Sequence, residues 1–148
     1  MIAELGSFAL MLALALSLAQ AGLSAAGRIR LSPALQGAGE GAGIGAFLMV
    51  VMAFACLMSA FIRSDFSVLN VAENSHTTQP LVYKISATWG SHEGSILLWN
   101  LAVTGFGALV ILFGRHLPRN LKSTAVGIQG ALGAPGPHLI EAMVPSII

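Results

Sequence analysis

The chain has 148 residues, of which 55% are hydrophobic and 9% charged, and its mean hydropathy is +0.81. Soluble domains carry about 25% charged residues, so this composition excludes a water-soluble globule and predicts a membrane protein. The net charge of +1 provides no field for binding nucleic acid. Cys56 is the single cysteine, which excludes an internal disulfide, a CxxC metal or redox pair and a CxxCH haem attachment site.

The first apolar run, Leu5–Ala26, contains no charged residue and is long enough to span a bilayer. A cleaved signal peptide is the alternative, because Ala19-Gln20-Ala21 has the small-x-small pattern of a cleavage site. Two features oppose that alternative. The segment is preceded by Glu4 rather than by basic residues, and its apolar run exceeds the ~7–15 residues of a signal core. We therefore predict a retained membrane helix.

Two further spans follow, Ala42–Ile62 and Ser95–Phe113, and both are free of charged residues. The linker Gly27–Glu40 is rich in glycine and contains Pro33, which is typical of a loop. A stop after the third span is indicated by basic residues and a proline, in the string Gly114-Arg115-His116-Leu117-Pro118.

A fourth apolar segment, Thr124–Leu132, lasts nine residues before the prolines at 135 and 137. These prolines remove backbone donors that hydrocarbon cannot replace. The remaining tail, His138–Ile148, is too short to cross and is expected to lie at the membrane interface or to be disordered. The predicted fold is an all-α integral membrane protein with three transmembrane helices and an incomplete fourth segment.

The orientation follows from the basic residues, because loops rich in Lys and Arg stay in the cytoplasm. The segment between the second and third spans, Ser64–Gly94, has only Lys84 within it and Arg63 beside it. The other five basic residues flank the opposite ends of the spans: Arg28, Arg30, Arg115, Arg119 and Lys122. This distribution predicts that the N-terminus and Ser64–Gly94 lie outside.

Polar chemistry is concentrated in the segment Trp89–Trp99, where His92 and Glu93 directly precede the third span. One interpretation is an interfacial belt of Trp, His and Ser side chains, with glycines that allow close packing. The other places His92 and Glu93 beside a bound cofactor or substrate, because ionisable groups at a membrane boundary are often functional. Composition by itself favours the interfacial belt.

If this segment is helical, His92, Ser95 and Trp99 share one face, because they lie at positions i, i+3 and i+7. The His-Glu pair is not a zinc-protease signature, because Ile96 stands where that motif requires its second histidine. His76, in the polar string Asn74-Ser75-His76-Thr77-Thr78, is expected to be a solvated loop histidine. Ligation of haem iron or another metal is its alternative role.

Two other patterns carry weaker signals. The run Gly41-Ala42-Gly43-Ile44-Gly45-Ala46 matches a loose dinucleotide-binding pattern, but that mechanism needs a preceding β-strand. A loop and close helix packing explain these glycines better. The segment Asp65-Phe66-Ser67-Val68 is expected to be a turn or strand along the outer surface.

Three ordered strings of the chain resemble the CcmF family of cytochrome c-type biogenesis proteins, which includes NrfE. The first two are Glu4-Leu5-Gly6-x-Phe8-Ala9-Leu10 and Asp65-Phe66-Ser67-Val68 followed by Val71-Ala72-x-Asn74-Ser75. The third is the longest: Tyr83-Lys84-Ile85-Ser86-Ala87-x-Trp89-Gly90-x-His92-Glu93-Gly94-Ser95-x-Leu97-Leu98-Trp99. The resemblance covers residues 1–132 and stops before 133–148. The sequence therefore predicts the N-terminal membrane region of a longer, haem-lyase-like protein, followed by an aberrant or truncated tail.

The resemblance implies a haem lyase subunit that handles haem at the outer membrane face, for covalent attachment to the CxxCH motif of apocytochrome c. It places Trp89, His92, Glu93 and Trp99 near the haem, without making any of them an iron ligand, and it implies no separate metal site. The family's haem-ligating spans are expected elsewhere, so this chain alone is not expected to hold haem stably.

The implied partners are the lipid bilayer, other cytochrome c maturation subunits, apocytochrome c, and haem or its chaperone. The implied location is the bacterial inner membrane, with several passes. A small accessory membrane subunit without chemistry of its own is the alternative function. A transporter or channel has less support, because no span carries a charge or a break of the kind that marks a substrate site.

Overall fold

The computed structural model describes residues 2–76 and 78–136. Within them the chain forms six α-helices and one short 3₁₀ turn, Gly114–His116. The helices are α1 (Ile2–Ile29), α2 (Pro33–Arg63), α3 (Leu69–Asn74), α4 (Leu81–Gly90), α5 (His92–Phe113) and α6 (Arg119–Leu132). The predicted all-α fold is confirmed.

Three of these helices, α1, α2 and α5, are long and apolar enough to cross a membrane. They run through 28, 31 and 22 residues. The three predicted spans are therefore confirmed, and each helix extends beyond its predicted apolar core. Because α1 and α2 are antiparallel neighbours and α5 follows the end of α2, the bundle has two distinct ends. We call the end where α2 begins the basic end, and the end where α5 begins the cap end.

The predicted loop Gly27–Glu40 is wrong, because most of it is helix. Helix α1 continues to Ile29, and α2 already begins at Pro33. A proline at the start of a helix does not destabilise the helix, because an N–H at that position would have no intrahelical acceptor. The turn between the helices contains Leu31 in the left-handed region, at φ 52°.

The glycines of α2 explain why a glycine-rich segment is helical here. Gly39 and Gly43 are buried against α1. A Cβ on Gly43 would lie 2.9 Å from Gln20 Cδ, and one on Gly39 would lie 2.6 Å from Ser24 Oγ. For the run Gly41–Ala46, the predicted close helix packing is confirmed and the predicted loop is wrong. A dinucleotide-binding turn is excluded, because the whole run lies inside α2.

The incomplete fourth segment is α6, which has 14 residues and begins at Arg119, five residues earlier than predicted. At about 1.5 Å per residue it reaches about 21 Å, short of the ~30 Å hydrocarbon core. It ends at Leu132 with Gly133 as its C-cap, just before the prolines that were expected to stop it. The tail His138–Ile148 lies outside the described residues.

The apolar core lies toward the cap end of the bundle. Leu10 from α1, Leu57 and Phe61 from α2 and Leu97 from α5 are at most 2% exposed and pack in one cluster. Val68 and Val71, from the start of α3, complete the cluster and are fully buried. The short helix α3 is thus anchored by side chains that enter the core.

A polar seam holds α6 against α1 toward the basic end. The fully buried Gln20 donates from Nε2 to the Val126 carbonyl oxygen at 2.7 Å and to Gln129 Oε1 at 2.5 Å. The Ser123 hydroxyl donates to the Ser24 carbonyl at 3.1 Å. Between membrane helices, interhelical hydrogen bonds and close contact of small residues replace the hydrophobic effect as sources of association. These hydrogen bonds therefore hold α6 against α1, because α6 is too short to span the bilayer.

Candidate functional site

Trp89, the first residue of the predicted site, lies in the cap, which we define as residues 64–91 between α2 and α5. The cap begins at a tight turn, because Ser64 adopts the left-handed conformation and its N–H donates to α2 carbonyls. The N–H of Asp65 donates to the Ala60 carbonyl at 2.9 Å, which completes the helix end. The Lys84 ammonium, from α4, donates to Ser64 Oγ at 2.6 Å and ties α4 to this turn.

The segment Asp65–Val68 is a turn that leads into α3, as expected. Asp65 Oδ1 accepts from the Ser67 hydroxyl at 2.6 Å and from the Ser67 backbone N–H at 3.2 Å. These two donors, the hydroxyl first, hold the pKa of Asp65 below its ordinary value, because they stabilise the ionised carboxylate. Asp65 is therefore a structural carboxylate of the turn.

A buried polar network joins α3 to the α4–α5 junction. Asn70, 2% exposed, donates from Nδ2 to Ser91 Oγ at 3.2 Å, and the same oxygen accepts the Gly94 N–H at 3.1 Å. Asn74 Nδ2 donates to Asn70 Oδ1 at 2.8 Å. Ser91 is thus both the N-cap of α5 and the anchor for α3. Sequence reasoning missed Asn70 and Ser91, although a serine directly before a helix start is a usual N-cap signal.

The two glycines of the motif have different environments. A Cβ on Gly94 would collide with the Thr88 carbonyl oxygen and lie 2.7 Å from Ser91 Oγ, whereas one on Gly90 would meet nothing within 4 Å. Gly94 is therefore in close contact with a neighbouring backbone, whereas open space surrounds Gly90 in the described chain. Gly94 allows α4 to end directly against the first turn of α5.

A groove of about 400 Å³ opens on the cap beside Trp89. Its walls combine two aromatic rings with amide and hydroxyl groups, from Asn74, Gln79, Tyr83, Ser86, Ala87, Trp89, Gly90 and Ser91. The Trp89 side chain is 43% exposed and Tyr83 63% exposed, so both rings present free surface. Such a mixture suits a flat, mostly apolar ligand with polar groups at its edge.

The other three predicted site residues lie on α5, outside the walls of this groove. His92, Ser95 and Trp99 are all exposed on the same face of the helix, as the spacing predicted. The Ser95 hydroxyl donates to the His92 carbonyl at 2.8 Å. Glu93 is half-buried in the first turn, where the positive end of the helix dipole stabilises its charge.

The face that begins at His92 continues along α5 as an aromatic ridge. Trp99, Phe106 and Phe113 follow His92 at seven-residue intervals and are 71%, 70% and 69% exposed. Seven residues are about two helical turns, so these rings lie nearly above one another. The structure therefore places Trp89 in the groove, and His92 and Trp99 on the surface of α5 that continues toward the bilayer.

The remaining histidines of the described residues stand apart from this site. His76 is exposed in the loop after α3, and His116 is exposed in the 3₁₀ turn at the basic end. Within residues 2–76 and 78–136, no three His, Cys, Asp or Glu side chains come close enough to hold a metal ion.

Several curated proteins are similar to this chain, although no family model matches it. The cytochrome c-type biogenesis protein CycK of Rhizobium meliloti (strain 1021) is 50% identical over 129 residues, which are 87% of this chain and 19% of that protein. CcmF of Pseudomonas aeruginosa is 42% identical over 132 residues, 89% of this chain and 20% of that protein. The probable biogenesis protein NrfE of Escherichia coli is 43% identical over 63 residues, 43% of this chain and 11% of that protein.

A solved structure described as the cytochrome c haem lyase CcmF has the same fold, with a TM-score of 0.85 and 28% identity. The match covers 99% of this chain and 24% of the solved chain. The chain thus spans about one fifth of the length of the curated relatives that it matches. These findings confirm the resemblance in sequence, and this chain belongs to the CcmF/CycK family of cytochrome c-type biogenesis proteins over the nine-tenths of its length that align.

Proposed function

We propose that this chain is part of a cytochrome c haem lyase and helps to handle haem at the outer membrane face. The observation that supports this most strongly is the similarity of nearly the whole chain to proteins named for cytochrome c biogenesis, together with the fold of the solved haem lyase CcmF. In the proposed reaction, the S–H of each apocytochrome CxxCH cysteine adds across a haem vinyl C=C, so that two thioethers form and no atom is lost.

The cap groove fits one face or edge of a porphyrin. Tyr83 and Trp89 supply flat apolar surface, and Asn74 and Gln79 supply hydrogen-bonding groups, as a largely apolar ligand with polar substituents requires. The walls contain no His, Met or Cys side chain, and Tyr83 is the one lining residue of a type that can ligate haem iron. The aromatic and amide groups of the walls favour contact with the porphyrin rather than with its iron. We therefore assign Trp89, with His92, Glu93 and Trp99 of α5, to the protein surface beside the haem.

This assignment is tested by a His92→Ala substitution in a full-length relative that carries the Trp89–Trp99 string. We expect a several-fold lower yield of mature cytochrome c, because a surface that positions haem or apocytochrome is altered. The haem absorption spectrum of the purified protein should stay nearly unchanged, because His92 is not an iron ligand. The control is His116→Ala, since His116 is an exposed histidine at the basic end, away from the string.

Loss of a six-coordinate haem spectrum in the His92→Ala protein would show that His92 ligates iron, and the assignment would be wrong. Normal maturation with a normal spectrum would instead favour an accessory subunit in which this surface takes no part in haem handling.

We also propose that the chain lies in a bacterial inner membrane with the cap outside. At the basic end α1 stops and α2 and α6 begin, and five of the seven basic residues flank these points, as expected of a cytoplasmic side. A His76→Cys variant, in a Cys56→Ser background, should react with a membrane-impermeant thiol reagent in intact spheroplasts, because His76 is exposed in the cap. Protection of that thiol, with labelling only after lysis, would reverse the orientation.

A further inference from the structure

Charge is distributed unevenly between the two ends of the bundle. Helix direction brings the end of α1, the start of α2, the end of α5 and the start of α6 to the basic end. Five basic residues belong to this end, and the acidic residue among them is Glu40. The other acidic residues of the described chain lie in the first turn of α1, in the cap or in the first turn of α5: Glu4, Asp65, Glu73 and Glu93. The basic end therefore attracts anions.

A polar groove of about 320 Å³ lies at this end, between the start of α2, the 3₁₀ turn and the start of α6. Two cationic side chains line it, Arg119 and Lys122, with the carboxylate of Glu40. Lys122 Nζ lies 2.9 Å from Glu40 Oε2, so the charge of Lys122 is already balanced. Arg119 is exposed and has no carboxylate partner in the described part of the chain. Among the described residues, its guanidinium is thus available for an anion.

An apolar groove of about 340 Å³ lies between α5 and α6, farther toward the middle of the bundle. It is lined almost entirely by hydrocarbon, from Val103, Phe106, Gly107, Val110, Ala125, Val126, Ile128, Gln129 and Leu132. On α5, Val110 lies one turn before Gly114 of the polar groove, and on α6, Val126 lies one turn after Lys122. A cationic groove at the membrane boundary is therefore followed by an apolar one at membrane depth.

We propose that these two grooves bind one anionic phospholipid, with its phosphate beside Arg119 and an acyl chain between α5 and α6. Arg recognises a phosphate through a planar fork of N–H donors, and basic pockets between membrane helices bind anionic headgroups. The excess of basic residues around the groove disfavours a choline headgroup, which would add a positive charge. Glu40 reduces the attraction, because its carboxylate faces the same groove. This site does not depend on the proposed haem function.

The test is competition between two lipids for the purified chain, read by native mass spectrometry. Equimolar phosphatidylglycerol and phosphatidylcholine are added in detergent, and we expect phosphatidylglycerol to be retained preferentially. Arg119→Gln should lower this preference roughly fivefold, the effect of one basic residue near an anionic headgroup. The matched control is Arg63→Gln, at the cap end, which should keep the preference. Glu40→Gln should raise it, because the opposing carboxylate is removed and Lys122 is freed.

The acyl-chain position is tested separately by Ala125→Trp, which fills the apolar groove and should reduce retention of both lipids. Unchanged retention in this variant would overturn the proposal, as would equal retention of the two lipids by the unaltered chain. An equal loss of preference in Arg63→Gln and Arg119→Gln would show diffuse attraction rather than a site.

A final arm distinguishes a lipid from a soluble phosphate compound, since both share the phosphate group. If inorganic phosphate, at an ionic strength matched with chloride, displaces phosphatidylglycerol to the level seen in Arg119→Gln, the site belongs to a soluble phosphate. A dimer that retains no lipid would assign the apolar groove to a second copy of the chain. Either result would overturn the lipid assignment.

Discussion

Replacing Gly94 by alanine is expected to lower the free energy of unfolding by about 3 kcal/mol, the upper part of the range for overpacking a tight site. The added methyl group would collide with the Thr88 carbonyl oxygen and crowd Ser91 Oγ. A backbone oxygen cannot rotate away as a side chain can, so α4 must move relative to α5. That movement would also break the contact of Ser91 with Asn70, which leaves a buried amide without its partner.

Gly90→Ala is the matched control, because its Cβ would meet nothing within 4 Å and alanine favours a helix over glycine. Unfolding by SDS in mixed micelles can be followed by the fluorescence of Trp89 and Trp99, which flank the altered site and are the two tryptophans of the chain. Equal stability of the two variants would show that the α4–α5 junction is looser than the Thr88–Gly94 contact implies.

Replacing Gln20 by alanine is expected to free α6 from the bundle. The change removes hydrogen bonds to the Val126 carbonyl and to Gln129, each worth about 0.6 kcal/mol between membrane helices. It also leaves a cavity at a fully buried position, which costs about 2 kcal/mol or more. Because α6 is too short to span the bilayer, a loss of about 3 kcal/mol should act mainly on its docking.

Hydrogen exchange measured by mass spectrometry checks this expectation. The amides of α6 should exchange much faster in Gln20→Ala, while those of α2 and α5 keep their protection. Leu18→Ala is the control, because it removes a side chain of similar size that is 57% exposed on α1. Uniform loss of protection across all helices would mean that the seam stabilises the whole bundle rather than α6.

The three spans and the stop of α6 could be predicted from sequence, because hydropathy and proline act locally along the chain. The same holds for the shared face of His92, Ser95 and Trp99, which follows from helical spacing once the segment is helical. The family resemblance was also visible in contiguous strings, above all in Trp89–Trp99. Each of these features depends on residues that are close together in sequence.

Tertiary contacts decided the rest. Gly27–Glu40 has the composition of a loop, yet it is mostly helix because Gly39 and Gly43 let α2 pack closely on α1. The sequence of the Trp89–Trp99 segment does not show which of its glycines is in close contact. The packing of α4 on α5 places Gly94 against the Thr88 carbonyl and leaves open space around Gly90.

The buried polar contacts also depend on tertiary structure, because they join residues that are far apart in sequence. Gln20 and Val126 are 106 positions apart, and Asn70 and Ser91 are 21 apart. No local pattern encodes such pairs, because each side chain is an ordinary polar residue until the fold supplies its partner. The sequence by itself determined which segments are long and apolar enough to cross a membrane. The tertiary structure decided which buried polar groups are satisfied, and it separated Trp89 in the cap groove from His92 and Trp99 on α5, because both depend on how the helices pack.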